Sequence, residues 1–153
     1  MEEQNLSFIV LMADDDEDDC FLVESAFKEM SIACDLRFVA DGRELLDYLY
    51  NEGDFADTVK YPRPDLILLD LNMPRIDGRR ALVLIKANPR LKNIPVLILT
   101  TSREAADIEL TKQAGASSFL SKHEVFEDLT DMLSKFCTAV LHNPSIPFQV
   151  IGC

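Results

Sequence analysis

Asp65-Leu66-Ile67-Leu68-Leu69-Asp70 is an unbroken apolar run held between two carboxylates. A strand with no polar alternation must be buried on both faces, as the inner strands of a parallel sheet are. Four further runs lie along the chain: Phe8–Ala13, Cys34–Val39 and residues 96–99 and 118–120. Helix-like segments over residues 17–30, 42–51, 78–87 and 103–113 separate them, and a last helix is expected over 125–141. Alternation of this kind predicts βαβ units and a parallel sheet with helices on both faces.

The strand patterns also predict an order. Runs one, three and four are continuously apolar. Run two alternates, with Cys34, Leu36 and Phe38 set against Asp35 and Arg37, and run five is short and serine-rich, so both read as edge strands. With two and five outside, right-handed crossovers give the order 2-1-3-4-5. The expected fold is therefore α/β, a flavodoxin-like doubly wound five-stranded parallel sheet with five helices. Val125, Leu129, Met132, Phe136 and Val140 form an apolar stripe on the last helix. Thr101-Ser102-Arg103-Glu104 reads as a capping box opening the fourth. That helix has only a weak stripe (Ile108, Leu110 and Ala114) and is expected to be the most weakly held.

Composition bounds the function. The chain has 153 residues, 48% hydrophobic and 27% charged, enough for one domain with a real core. Fifteen basic against 27 acidic residues give a formal net charge of −12, which argues against nucleic acid and against anionic membranes. No apolar run approaches the roughly 18–20 residues of a transmembrane helix. The start, Met1-Glu2-Glu3-Gln4-Asn5, is acidic where a signal peptide is basic. Cys20, Cys34, Cys137 and Cys153 have no metal-ligand spacing and read as free thiols of a cytoplasmic protein.

Carboxylates gather at one sheet edge. Asp14-Asp15-Asp16-Glu17-Asp18-Asp19 follows the first strand, and Asp70 follows the third. Glu17, Asp18 and Asp19 read as a solvated helix start favoured by the helix dipole. Asp14 and Asp15 precede the helix and sit at the strand's carboxyl end. Strands one and three are expected to be neighbours about 4.8 Å apart, at the switch point where open α/β sheets bind ligands. Like charges so close are costly unless a cation joins them, and an all-oxygen set suits Mg²⁺. Thr100 ends the fourth strand and Lys122 follows the fifth. A hydroxyl and an ammonium facing a metal-bound carboxylate are what a phosphoryl group there would need.

Ala13-Asp14-Asp15, the stretch from Asp65 through Asp70-Leu71-Asn72-Met73-Pro74 to Asp77-Gly78, Pro95 to Thr100, and Ala114 to Lys122 stand in this order. In these motifs the sequence resembles the receiver domains of two-component response regulators from about Phe8 to Leu141. The connection before strand three, Ile85-Lys86-Ala87-Asn88-Pro89 and Thr100-Thr101-Ser102 are similar to single-domain regulators paired with bacterial phytochromes.

The resemblance implies that Asp70 accepts a phosphoryl group from the phosphohistidine of a sensor kinase, here one of phytochrome type. Mg²⁺, with Mn²⁺ as a substitute, would bind Asp15, Asp70 and the Asn72 main-chain carbonyl, with Asp14 acting through metal-bound water. Thr100 would hydrogen-bond the phosphoryl oxygens and Lys122 would pair with them. Phe119 would turn inward as Thr100 moves, carrying the change to a downstream protein partner. One departure stands out: His123 follows Lys122 where receivers usually carry a proline.

The implied organisation is a receiver domain over residues 1–141 and a tail over 142–153 without an output domain. The tail's Ile146, Phe148, Val150 and Ile151 leave two expectations, a homodimer contact, which is preferred, or a disordered end. Two enzymatic or carrier readings compete with a signalling protein that is not an enzyme. An aspartate-nucleophile phosphatase of the haloacid dehalogenase type would need a second aspartate two residues after Asp70, but Asn72 stands there and cannot transfer a proton. A flavin carrier would need a phosphate-binding first loop, which six acids would repel.

Overall fold

The computed structural model describes residues 8–30, 33–122, 129–143 and 147–151, positions 149 and 151 by backbone alone. Strands β1 (Phe8–Ala13), β2 (Cys34–Val39), β3 (Leu66–Leu69), β4 (Val96–Thr100) and β5 (Ser118–Ser121) alternate with helices. These are α1 (Glu17–Glu29), α2 (Gly42–Tyr50), α3 (Gly78–Ala87), α4 (Ala105–Gln113) and α5 (Leu129–His142). The five strands are parallel in the expected order 2-1-3-4-5.

The two-residue period of the strands divides the core. Leu11, Ala13, Ile67, Leu69, Val96 and Ile98 face α2 and α3, where Leu45, Leu46, Leu82 and Ile85 cover them. Val10, Met12, Leu66, Leu68, Leu97 and Leu99 face α1 and α5, against Val23, Phe27, Leu133 and Phe136. Three helices open on aspartates whose side chains accept first-turn amides: Asp16, Asp41 and Asp77. Among the described residues no helix is long and apolar enough to cross a membrane.

The tail is ordered where a disordered end was one of the two expectations. Gln149–Ile151 forms a sixth strand, β6, parallel to β5 and in register with it, Phe119 opposite Val150. Phe148 packs on the α2–α3 side of the core. β5 is therefore not an edge strand, and all four of its residues are buried. Its serines misled the pattern reading: Ser118 lies in the interior with its hydroxyl donating to the Ser117 carbonyl at 2.6 Å.

Helix α4 also differs. Glu104 is its N-cap and makes no side-chain cap bond, so the expected box is not formed. Leu110 is 42% exposed, and the helix buries Asp107 and Thr111. The Ser102 hydroxyl instead accepts the Glu104 amide at 3.2 Å and donates to Asp107 Oδ2 at 2.6 Å. Arg79, in the first turn of α3, grips the same carboxylate with two donors at 2.7 and 2.9 Å. An ion pair replaces the missing stripe.

The connection after α2 is packed. Asn51 takes the left-handed conformation (φ 54°), and its Nδ2 donates to the carbonyls of Phe55 and Tyr61, both at 3.0 Å. The rings of Tyr48, Phe55 and Tyr61 meet at 4.9–5.6 Å. Cys20, Cys34 and Cys137 are free thiols. His123, Val125, Ile146 and Cys153 lie outside the described residues.

Candidate functional site

Parallel register brings the acids together. Ala13 pairs with Leu69, so Asp14 and Asp70 emerge side by side from β1 and β3. The Asp70 amide donates to the Ala13 carbonyl at 3.1 Å, and the Asp14 amide to the Val39 carbonyl at 3.1 Å, fixing both at the sheet's edge. Gly78 permits a close approach behind them. A Cβ there would stand 2.1 Å from the Asp70 carbonyl oxygen, so the start of α3 can abut the β3 loop only without a side chain. The Gly78 amide donates to the Leu71 carbonyl at 2.9 Å.

Asp14, Asp15 and Asp70 each offer a carboxylate oxygen within 4.8 Å of the others. Asp14 and Asp70 are buried, whereas Asp15 is exposed and opens the group to solvent. Lys122 reaches in from the end of β5, where its amide donates to the Thr100 carbonyl at 2.6 Å. Its ammonium donates to Asp14 Oδ2 at 2.5 Å, Asp19 Oδ2 at 2.8 Å and Asp70 Oδ2 at 3.3 Å. Asp19 is thus not merely a solvated helix-start acid, as its position suggested; it turns inward onto the lysine.

Burial pushes the Asp14 carboxyl up to about 6, against the Lys122 bond and the Asp16 amide, which favour its charge. Burial works against the Lys122 charge too. The bonds to Asp14 and Asp19, with the nearby Asp70 charge, together outweigh it and move the ammonium upward. Cys20, beside the site, is raised to about 11 by burial and then by Asp14.

Thr100 is fully buried at the end of β4, and its hydroxyl accepts the Ser102 amide at 3.4 Å. Asn72 follows Asp70 on the surface, its amide donating to Asp70 Oδ1 at 3.4 Å. Phe119 lies in the core on the α2–α3 side at 1% exposure. An inward turn would gain it no further burial. Whether the Lys122–His123 bond is cis or trans falls outside the described residues.

Three residues of the site's surroundings had no sequence signal strong enough to find them. Asp19 is 103 positions from Lys122 and sat within a run of acids. Arg79 and Asp107 are 28 apart and each reads as an ordinary helix-surface charge. Arg79 also reaches the Asn72 side-chain oxygen at 3.5 Å, so one guanidinium touches the Asp70 loop and α4.

The donor set fits a hard divalent cation. It offers oxygen only, it is spaced for a single ion, and the three carboxylates around the Lys122 ammonium, with Asp15 beside them, leave negative charge in excess. A site so charged can hold a cation and, beside it, an anionic group on Asp70.

Comparison with known proteins gives the same picture. The family model for the response regulator receiver domain matches residues 10–134. The response regulator Rcp1 of Synechocystis is 34% identical over 146 residues, covering 95% of this chain and 97% of its own length. The Mn²⁺-bound form of Rcp1 superposes with a TM-score of 0.79 over 91% of this chain and 98% of that one, at 34% identity. The phosphorylated cyanobacterial phytochrome response regulator RcpA gives 0.77 at 33% identity, over 85% and 91% of the two chains.

Proposed function

This chain belongs to the response regulator receiver family, and from that premise we propose that its Asp70 is the phosphoacceptor of a cation-dependent signalling switch. The observation that carries this is the juxtaposition of Asp14, Asp15 and Asp70 within 4.8 Å under the Lys122 ammonium. An Asp70 carboxylate oxygen attacks phosphorus. The phosphorus–nitrogen bond of a kinase phosphohistidine breaks, and the departing imidazole keeps the electron pair and takes up a proton. Asp15, Asp70 and the Asn72 carbonyl would hold Mg²⁺ or Mn²⁺, with Asp14 acting on it through water, and such an ion would supply charge neutralisation for the transfer. Lys122 donates to the transferred group from one side. Thr100 gives its hydroxyl from the other, and its movement reaches α4 and Phe119. The partners are a sensor histidine kinase, of the phytochrome type that the relatives' names suggest, and a downstream protein, all in the cytoplasm. A homodimer through the outer edge of β6, where Val150 is 37% exposed, completes the reading. Removing residues 144–153 should then shift the sedimenting species to monomer.

The chain does not turn over phosphate esters, because Asn72 offers no proton where a phosphatase needs one. Acetyl phosphate with Mg²⁺ tests the proposal by intact mass. A single phosphoryl adduct on the wild type, absent in Asp70→Asn and in EDTA, is expected. Rapid release of phosphate with no adduct would favour the phosphatase, and no reaction at all would sink both.

A further inference from the structure

We propose that Asp19 is a positioning residue for the phosphoryl site, holding the Lys122 ammonium in line with Asp70 from helix α1. The inference rests on the reading of Asp70 as phosphoacceptor and Lys122 as its cationic partner. An ammonium has three donors, and here each has one carboxylate: Asp14 at 2.5 Å, Asp19 at 2.8 Å and Asp70 at 3.3 Å. The two shorter bonds fix the nitrogen. The longest reaches the group that would carry the phosphoryl, so it is the one free to pass to a phosphoryl oxygen without moving the other two.

Asp19 is well placed to be the fixed anchor. Its carboxylate is four-fifths buried, with a side-chain exposure of 19%. Its backbone sits in the first turn of α1, where the Asp16 carboxylate accepts the Asp19 amide at 3.2 Å. Asp14 cannot serve alone, because it also faces the cation site. A lysine stem has four rotatable bonds and is costly to order. A second anchor on helix α1 restrains that stem.

The sign of the effect separates positioning from simple charge. Removing an anion near a site for a phosphoryl group should, by field alone, favour that group. Losing the anchor should disfavour it. Phosphorylation by acetyl phosphate at saturating Mg²⁺ would be timed in wild type, Asp19→Ala, Asp19→Glu, Lys122→Met and the Lys122→Met/Asp19→Ala double variant, with Mg²⁺ affinity measured separately. Asp19→Ala should slow the reaction about tenfold, the worth of one hydrogen bond between charged groups. Asp19→Glu should recover part of the rate, Mg²⁺ affinity should hold within about twofold, and Asp19→Ala should add nothing in the Lys122→Met background. An Asp19→Ala rate equal to or above wild type would overturn the proposal. So would equal slowing with and without the lysine, or a fall in Mg²⁺ affinity that matches the fall in rate. A wild type that takes no phosphoryl group on Asp70 would instead remove the functional reading on which the proposal stands.

Discussion

Asp14, Asp19 and Asp70 share one ammonium at 2.5, 2.8 and 3.3 Å, while Asp15 stands beside them with no ammonium against it among the described residues. Negative charge is therefore in excess, and each residue's contribution to stability follows from its place around the lysine. In EDTA, Asp70→Asn removes the carboxylate with the longest contact and should stabilise the fold by about 1 kcal/mol. Lys122→Met leaves buried carboxylates uncompensated and should cost about 2–3 kcal/mol. Millimolar-range Mg²⁺ should narrow that loss, because a cation can take over part of the lysine's charge. Urea midpoints with and without Mg²⁺ check all three; a destabilised Asp70→Asn would show that its carboxylate is already fully satisfied. A second lysine tests the same electrostatics far from the site. The Lys86 ammonium donates to the carbonyls of Lys92 at 2.9 Å and Ile94 at 2.7 Å, and burial pushes it down from 10.5 to about 8. Between those values the unfolded chain holds a proton that the folded chain has released, so stability rises with pH. From pH 8 to 10 the wild type should gain on Lys86→Met by at most about 1.4 kcal/mol per pH unit. Denaturation curves that stay parallel across this range would show that the ammonium remains charged in the fold.

Helix α4 is held by polar groups where the other helices use apolar faces. Arg79 hydrogen bonds and the Ser102 bond depress the Asp107 carboxyl below its ordinary value, with Arg79 the larger cause. Asp107→Asn should cost about 1–2 kcal/mol and speed amide exchange in α4 more than in α3. If exchange in α4 is unchanged, its burial against β5 holds it without the ion pair. Because Arg79 also touches Asn72, beryllofluoride with Mg²⁺ should alter exchange over residues 101–113 and around Phe119 more than over 78–87. Thr100→Ala should lose most of that remote change while still binding the ion. A Thr100→Ala protein that responds like wild type would route the signal through Arg79 instead. The elements themselves were largely legible from local pattern. Continuous apolar runs announced β1, β3 and β4, and strand-end acids announced Asp14, Asp15 and Asp70, because both signals are local. α4's anchoring was not legible, since it depends on charges 28 positions apart. β6 was missed because three residues after two prolines carry almost no periodicity; only the sheet's open edge selects them.

The molecule as a whole is a sheet with its chemistry at one edge and its elements tied to that edge by single side chains. Lys122 joins β5 to β1, β3 and α1, and Arg79 joins the Asp70 loop to α4. A ligand that binds only the folded state stabilises it by mass action, so the melting temperature should climb steadily with Mg²⁺ and with Mn²⁺. Asp15→Asn should flatten both curves. A melting temperature indifferent to both ions would remove the cation from the account. The central claim is transfer from a histidine, and it can be measured directly. The phosphorylated catalytic core of a phytochrome-type histidine kinase would be mixed with the wild-type chain and with Asp70→Asn, each with Mg²⁺ and with EDTA. The account predicts that the phosphoryl group leaves the kinase for the wild-type chain only when Mg²⁺ is present, and never for Asp70→Asn. Transfer to Asp70→Asn, or transfer to the wild type in EDTA, would contradict it.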